Sequence, residues 1–248
     1  MIETVKIHGV VFDYGGTIDS NGVHWAEVIW MAYQSENVPV TKELFREAYI
    51  HGERTLGKNP MIKPHHTFLD MMRIKIDIQF EWLLRQEGRN QGNNYELRIT
   101  NDILSDIDCK HRIAEFCYNY ARSSVECARP VLEWISGKYP MVLVSNFYGN
   151  IETVLRDFGI DRFFPNIIES AVVGVRKPDP QIFRLGVESL QMKADEVVVI
   201  GDSYDKDINP AKAAGCQTIW LKNTGWNEYT GLETADLIIS DFKELKWI

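Results

Sequence analysis

Basic runs, paired cysteines and long apolar stretches are all missing from this chain of 248 residues. Its 27 Lys and Arg against 35 Asp and Glu give a formal net charge of −8. Without a basic run, such a chain is not suited to neutralising a nucleic-acid backbone. The four cysteines, Cys109, Cys117, Cys127 and Cys216, show no CxxC spacing. They read as free thiols in a reducing compartment rather than a zinc site or a disulfide framework. No run approaches the about 20 apolar residues that span a bilayer, and the N-terminus carries no basic-then-apolar signal. The expectation is a soluble cytoplasmic protein with no nucleic-acid or membrane partner. The sequence leaves its oligomeric state open.

What is present starts at the first apolar run. Val5 to Phe12 is β-branched and reads as a buried strand of a parallel sheet. It ends in Asp13-Tyr14-Gly15-Gly16-Thr17, where two glycines let the backbone turn and expose N–H groups. A carboxylate at the carboxyl end of a parallel strand faces the crevice where α/β folds place ligands. It can act there as a nucleophile.

From residue 20 to about 128 the chain reads as helix and loop. Val23–Glu36 carries an i, i+3, i+4 apolar pattern, and Thr41 reads as the cap of a following helix. Thr67–Glu87 is read as helix, although Ile74, Ile76, Ile78 and Phe80 alternate with polar residues in a strand period. Gly88–Asn94 reads as a flexible loop, and 101–122 as one or two further helices. Pro130 reads as the start of a short helix ending at Ile135. Beyond it strand and helix alternate: strands at 141–144, 167–173, 197–200, 218–221 and 237–239, with helices at 150–158, 179–190 and 208–214. That grammar predicts an α/β protein with a Rossmann-like parallel sheet. The expected core is 1–19 plus 129–248, with an all-helical cap at 20–128. The crossings at 18–22 and about 126–130 read as turn-rich hinges.

Three strands end in polar groups, Asp13, Ser145-Asn146 and Asp202, and parallel strands bring such ends to one edge. Asp13 and Asp202 are hard oxygen ligands suited to Mg²⁺. Lys177 and the Ser145 hydroxyl can neutralise and hydrogen-bond a phosphoryl oxygen. Asp207 can hold the metal's water or Lys177 from behind.

These residues resemble the haloacid dehalogenase superfamily, mostly Mg²⁺-dependent phosphohydrolases. The first motif is matched by Asp13–Thr17, the Ser/Thr motif by Ser145-Asn146, the Lys motif by Arg176-Lys177-Pro178, and the acidic motif by Gly201-Asp202-Ser203 with Asp207. The four stand in order at fitting distances. The resemblance implies Asp13 as nucleophile, Lys177 as a catalytic and substrate-binding residue, and substrate contacts from Gly16, Thr17, Ser145 and Asn146. It also implies metal ligation by Asp13, the Gly15 carbonyl and Asp202. The implied substrate is a small phosphorylated metabolite, cleaved through an aspartyl-phosphate.

One departure stands out. The family's phosphatases carry a second Asp two residues after the nucleophile, and here that position is Gly15. Carbon–phosphorus cleavage through a cap lysine, with Lys58 nearest by position, and a weakly catalytic phosphate-binding protein are therefore alternatives. Asp19 is a possible replacement acid in a stretch that otherwise reads as a turn. His24, His51, Glu53 and Arg54 are possible cap contributions to the site. The His65-His66 pair lacks metal-ligand spacing.

Overall fold

The structure, a computed structural model, describes residues 6–87, 102–225 and 234–247. Six strands form one sheet: β1 (Gly9–Phe12), β2 (Met141–Ser145), β3 (Asn166–Glu169), β4 (Val197–Gly201), β5 (Gln217–Leu221) and β6 (Leu237–Ile239). Their order is β3-β2-β1-β4-β5-β6, and every neighbouring pair is parallel. The apolar run settles into the centre of the sheet because it can be buried on both faces. Val10 and Phe12 pack with Val131, Leu132 and Ile135 on one side. Val11 packs against Ile182 and Phe183 on the other. The expected start of this strand at Val5 lies outside the described residues, and Lys6 falls in no strand. The chain moves outward from β1 through β2 to β3, then returns to the far side of β1 as β4. The reversal between β1 and β4 is where an open α/β sheet holds its ligand crevice.

Between β1 and β2 the described residues form helices and no strand: α1 (Trp25–Ser35), α2 (Lys42–Lys58), α3 (Phe68–Glu87) and α4 (Ile107–Ser136). The caps are local and readable. Thr41 Oγ1 accepts the Leu44 N–H at 3.2 Å. Thr67 and Asp70 satisfy each other's backbone N–H groups at the start of α3, a capping box. The strand-like alternation of 74–80 is overridden within α3, where Ile76, Phe80 and Leu83 are buried on one stripe.

Two expectations need correction. Pro130 does not begin a helix; it lies inside α4, which runs unbroken for 30 residues. The expected second hinge at 126–130 is therefore helical. Proline in a helix interior forfeits a hydrogen bond and costs about 3 kcal/mol in an isolated helix. Here the Arg129 guanidinium beside it donates to the carbonyls of Phe158 (2.7 Å) and Gly159 (2.6 Å), tying α4 to the loop after α5 (Ile151–Asp157). The expected strand at 167–173 stops at Glu169, and Ser170–Val173 is a helical turn, α6, ended by Gly174 at φ +73°. The expected Gly88–Asn94 loop lies outside the described residues. Helices α7 (Gln181–Leu190) and α8 (Asn209–Ala213) fall where the sequence predicts them. No described helix is long and apolar enough to cross a membrane.

Candidate active site

The ladder carries Asp13 to the edge of the sheet, its N–H donating to the Ile200 carbonyl at 2.9 Å. Its carboxylate is buried and meets groups from three other segments. Lys177 Nζ lies 2.5 Å from Asp13 Oδ1 and 2.7 Å from Asp207 Oδ1. Thr17 Oγ1 donates to Asp13 Oδ2 at 3.0 Å and lies 3.2 Å from Asp202 Oδ1. Ser145 Oγ, at the end of β2, is 3.4 Å from Asp13 Oδ1. The other Asp207 oxygen accepts the Ser203 N–H at 2.9 Å, so Asp207 orients Lys177 and the loop after β4.

Two glycines allow this crowding. Gly16 sits at φ +99°, and a Cβ there would stand 2.5 Å from the Asp202 carboxylate. A Cβ on Gly201 would stand 2.4 Å from that of Asp207. Gly15 differs: its φ lies outside the left-handed region and a Cβ would meet nothing within 4 Å.

The predicted substrate residues divide on inspection. Ser145 and Lys177 face Asp13. Thr17 bridges the two metal-type carboxylates. Asn146 lines the cavity, but its side chain is committed to the Lys177 backbone, accepting from its N–H (2.9 Å) and donating to its carbonyl (3.1 Å). It positions the lysine. The Gly16 N–H is likewise engaged, by Asp19 Oδ1 at 2.7 Å.

Three carboxylates and one ammonium leave a charge imbalance. Burial, together with Asp207, pushes the Asp13 carboxyl up to about 6 against the pull of Lys177. Burial, Asp207 and Asp13 raise Asp202 well above the ordinary carboxylate range. Burial alone would lower Lys177, but its two carboxylate partners hold it up and charged. Among the described residues, Asp13, Asp202 and Asp207 form the group whose oxygens, within 4.8 Å of one another, could hold a metal ion. Fully ionised, they exceed Lys177 by two negative charges. A hard divalent cation would cancel that excess, so the donor set fits Mg²⁺.

A cavity of about 150 Å³ lies over this cluster. Asp19 and Trp25 line it, as do His24, Glu53 and Lys75 from the helical segment. Asp19 is 1% exposed. Its Oδ1 also accepts from Trp25 Nε1 at 3.0 Å. Among the described residues its Oδ2 takes no hydrogen bond. Burial pushes its carboxyl up to about 7. Asp-Ser-Asn-Gly is a turn, as read, yet the turn aims this side chain inward.

Among the described residues the lysine that the helices between β1 and β2 bring to the cavity is Lys75; Lys58 is exposed in the last turn of α2 and does not line it. Lys75 is buried, 2.7 Å from Glu53, whose other oxygen accepts from the Tyr148 hydroxyl at 2.8 Å. Burial opposes its charge, but Glu53 and two tyrosines keep the ammonium firmly protonated. The sequence signal for Lys75 was a lysine inside the apolar stripe Phe68-Met72-Lys75-Gln79-Leu83, visible only once the segment is read as helix. His24 lines the cavity and caps α1, its Nδ1 accepting the Ala26 N–H at 3.1 Å. His51 stacks on Trp82 instead.

A parallel sheet carrying a buried, metal-ready Asp–Lys cluster at its switch point defines a Rossmann-like hydrolase. The model of the haloacid dehalogenase-like hydrolases matches residues 7–215, and the chain belongs to that family. It is 36% identical over 172 residues to a glyceraldehyde 3-phosphate phosphatase of Methanocaldococcus jannaschii, covering 66% of this chain and 74% of that one. A phosphoglycolate phosphatase of Yersinia pestis is 25% identical over 99% of this chain and 94% of its own. The magnesium-bound crystal structure of the putative hydrolase YfnB from Bacillus subtilis shares the fold. Its TM-score is 0.60 at 19% identity, covering 96% of each chain. These relatives support an enzyme of the phosphatase kind.

Proposed function

We propose that the protein is a Mg²⁺-dependent phosphatase of small phosphorylated metabolites, working through an aspartyl-phosphate on Asp13. The observation that carries this reading is the Asp13–Lys177–Asp207 chain beside Asp202, buried under a cavity of about 150 Å³. Asp13, Asp202 and the Gly15 carbonyl would hold Mg²⁺, which supplies charge neutralisation for the incoming phosphate. Asp13 attacks phosphorus, forming the Asp13–phosphorus bond as the ester oxygen leaves. Lys177 and the Ser145 hydroxyl stabilise the negative charge of the phosphoryl oxygens. Asp19 gives its proton to the leaving oxygen. In the second step its carboxylate takes a proton from the attacking water, and the bond to Asp13 breaks to release phosphate. A group held near pH 7 is suited to both transfers. Residues 20–128 are read as a cap over this site, and the four free thiols accord with a cytoplasmic setting.

Carbon–phosphorus cleavage through a Schiff base is disfavoured. It needs a neutral amine, whereas Lys75 is held charged by Glu53 and Lys58 lies outside the cavity. The weakly catalytic alternative rested on Gly15, and Asp19 supplies the function that Gly15 lacks. A panel of phosphate monoesters, assayed with Mg²⁺ and with chelator, tests the proposal. Mg²⁺-dependent release of phosphate is expected. Turnover of no ester, or turnover indifferent to chelation, would refute it.

A further inference from the structure

The catalytic cavity adjoins a second, larger groove of about 580 Å³, and the two share His24, Tyr49, Glu53, Tyr148 and Lys206 in their walls. Four cations line that groove: Arg54 and Lys58 from α2, Arg176 beside the catalytic lysine, and Lys206 beyond β4. All four side chains are exposed. Among the described residues none of them makes an ion pair within 4.0 Å. Elsewhere among the described residues about half of the Lys and Arg side chains find a carboxylate, as in Lys42–Glu27, Lys110–Asp77, Arg112–Glu36, Arg162–Glu133 and Lys212–Asp236. Glu53 is the one acidic residue lining the groove, and it is already held by Lys75. On a chain with a net charge of −8, an unneutralised cationic groove at the mouth of the cavity is an isolated positive field.

Size adds a second constraint. A cavity near 150 Å³ holds a molecule about as large as benzene. A phosphoryl group and a few further atoms occupy it, and the adjoining groove of about 580 Å³ offers room for the rest of an ester. Resting on the phosphatase reading above, we infer that the preferred substrate carries a second anionic group on its organic part, which docks among Arg54, Lys58, Arg176 and Lys206 while its phosphoryl group meets Asp13. A carboxylate and a second phosphate share this chemistry.

The test uses three Mg²⁺-supplemented substrates on a common three-carbon frame: glycerol phosphate with a neutral organic part, phosphoglycerate with a carboxylate, and propanediol bisphosphate with a second phosphate. At about 6 Å in water one unit charge changes binding about threefold, so a pair of cations accounts for about tenfold. The full protein should turn over at least one doubly anionic ester with kcat/KM about tenfold or more above glycerol phosphate. The better of the two identifies the second anion. In the Arg54→Ala/Lys58→Ala variant, and independently in Arg176→Ala, that ratio should fall, the loss appearing in KM and not in kcat. Added salt should lower kcat/KM for the favoured ester more steeply than for glycerol phosphate. Equal kcat/KM on all three esters, or a preference that both variants leave intact, overturns the inference while the phosphatase reading stands. Turnover of none of the three overturns the inference, and the wider panel of monoesters then decides the phosphatase reading separately.

Discussion

Replacing Asp19 by Asn removes one proton and little else. The Asn carbonyl can still accept from the Gly16 N–H and the Trp25 indole, so the turn keeps both of its ties. If Asp19 protonates the leaving group, kcat/KM on an alkyl phosphate should fall by about 10²–10⁴-fold, or about 3–5 kcal/mol of barrier. Burial raises its carboxyl to about 7, so it keeps a proton to give near neutrality. An aryl phosphate such as p-nitrophenyl phosphate leaves without much protonation and should lose far less. The alkyl-phosphate rate of the unchanged protein should decline above pH 7, as Asp19 gives up its proton, and that limb should vanish in the variant. Gly15 offers a rescue, because a Cβ there meets nothing within 4 Å and the backbone is outside the left-handed region. Gly15→Asp should restore alkyl-phosphate turnover in the Asp19→Asn background and add little to the unchanged protein. Steady-state kinetics on both substrates across pH decides the matter. Equal losses on alkyl and aryl esters, with no rescue, would show that Asp19 shapes the turn and moves no proton.

Asp202→Ala should abolish Mg²⁺ binding in titration calorimetry; binding unchanged from the parent would reject the metal assignment. Because burial raises Asp19 from an ordinary 3.8 to about 7, the folded state loses stability as pH climbs through that window. Asp19→Asn should therefore melt higher than the parent above pH 7 and show no such gain below pH 4, measured calorimetrically without metal. Lys75→Met strands Glu53 in the cavity wall, and since Glu53 is 34% exposed the cost should be below the about 3–5 kcal/mol of a fully buried pair. Denaturant unfolding of Lys75→Met against Lys75→Met/Glu53→Gln checks this, with the double variant the more stable. Thr41→Ala should cost about 1 kcal/mol in the same assay through loss of the α2 cap.

Much of this was legible because strand ends are local. Short β-branched runs stopped by Asp13, Ser145 and Asp202 name both the sheet and the residues at its edge. Parallel pairing then fixes their convergence without further information. Helix α4 was not legible in the same way, since Pro130 reads as a start. What keeps it inside a continuous helix is tertiary, including the contact of Arg129 with carbonyls 29 and 30 residues away. Lys75 was hidden by a false strand period, because Ile74, Ile76 and Ile78 alternate while the helix surface groups Lys75 with Met72 and Gln79. Asp19 was legible as a turn residue, but its burial depends on the Trp25 indole and the Gly16 amide folding onto it. Asn146 was placed correctly beside Ser145, and only the distances reveal that it serves the Lys177 backbone.

The central claim is a covalent phosphoryl group on Asp13. Rapid acid quenching during turnover of a phosphate ester with Mg²⁺, followed by mass spectrometry of the peptide containing Asp13, tests it most directly. The account predicts a transient phosphoryl adduct on that residue, formed no more slowly than free phosphate and absent in Asp13→Asn. Phosphate released at full rate with no adduct on that peptide at any quench time would contradict it.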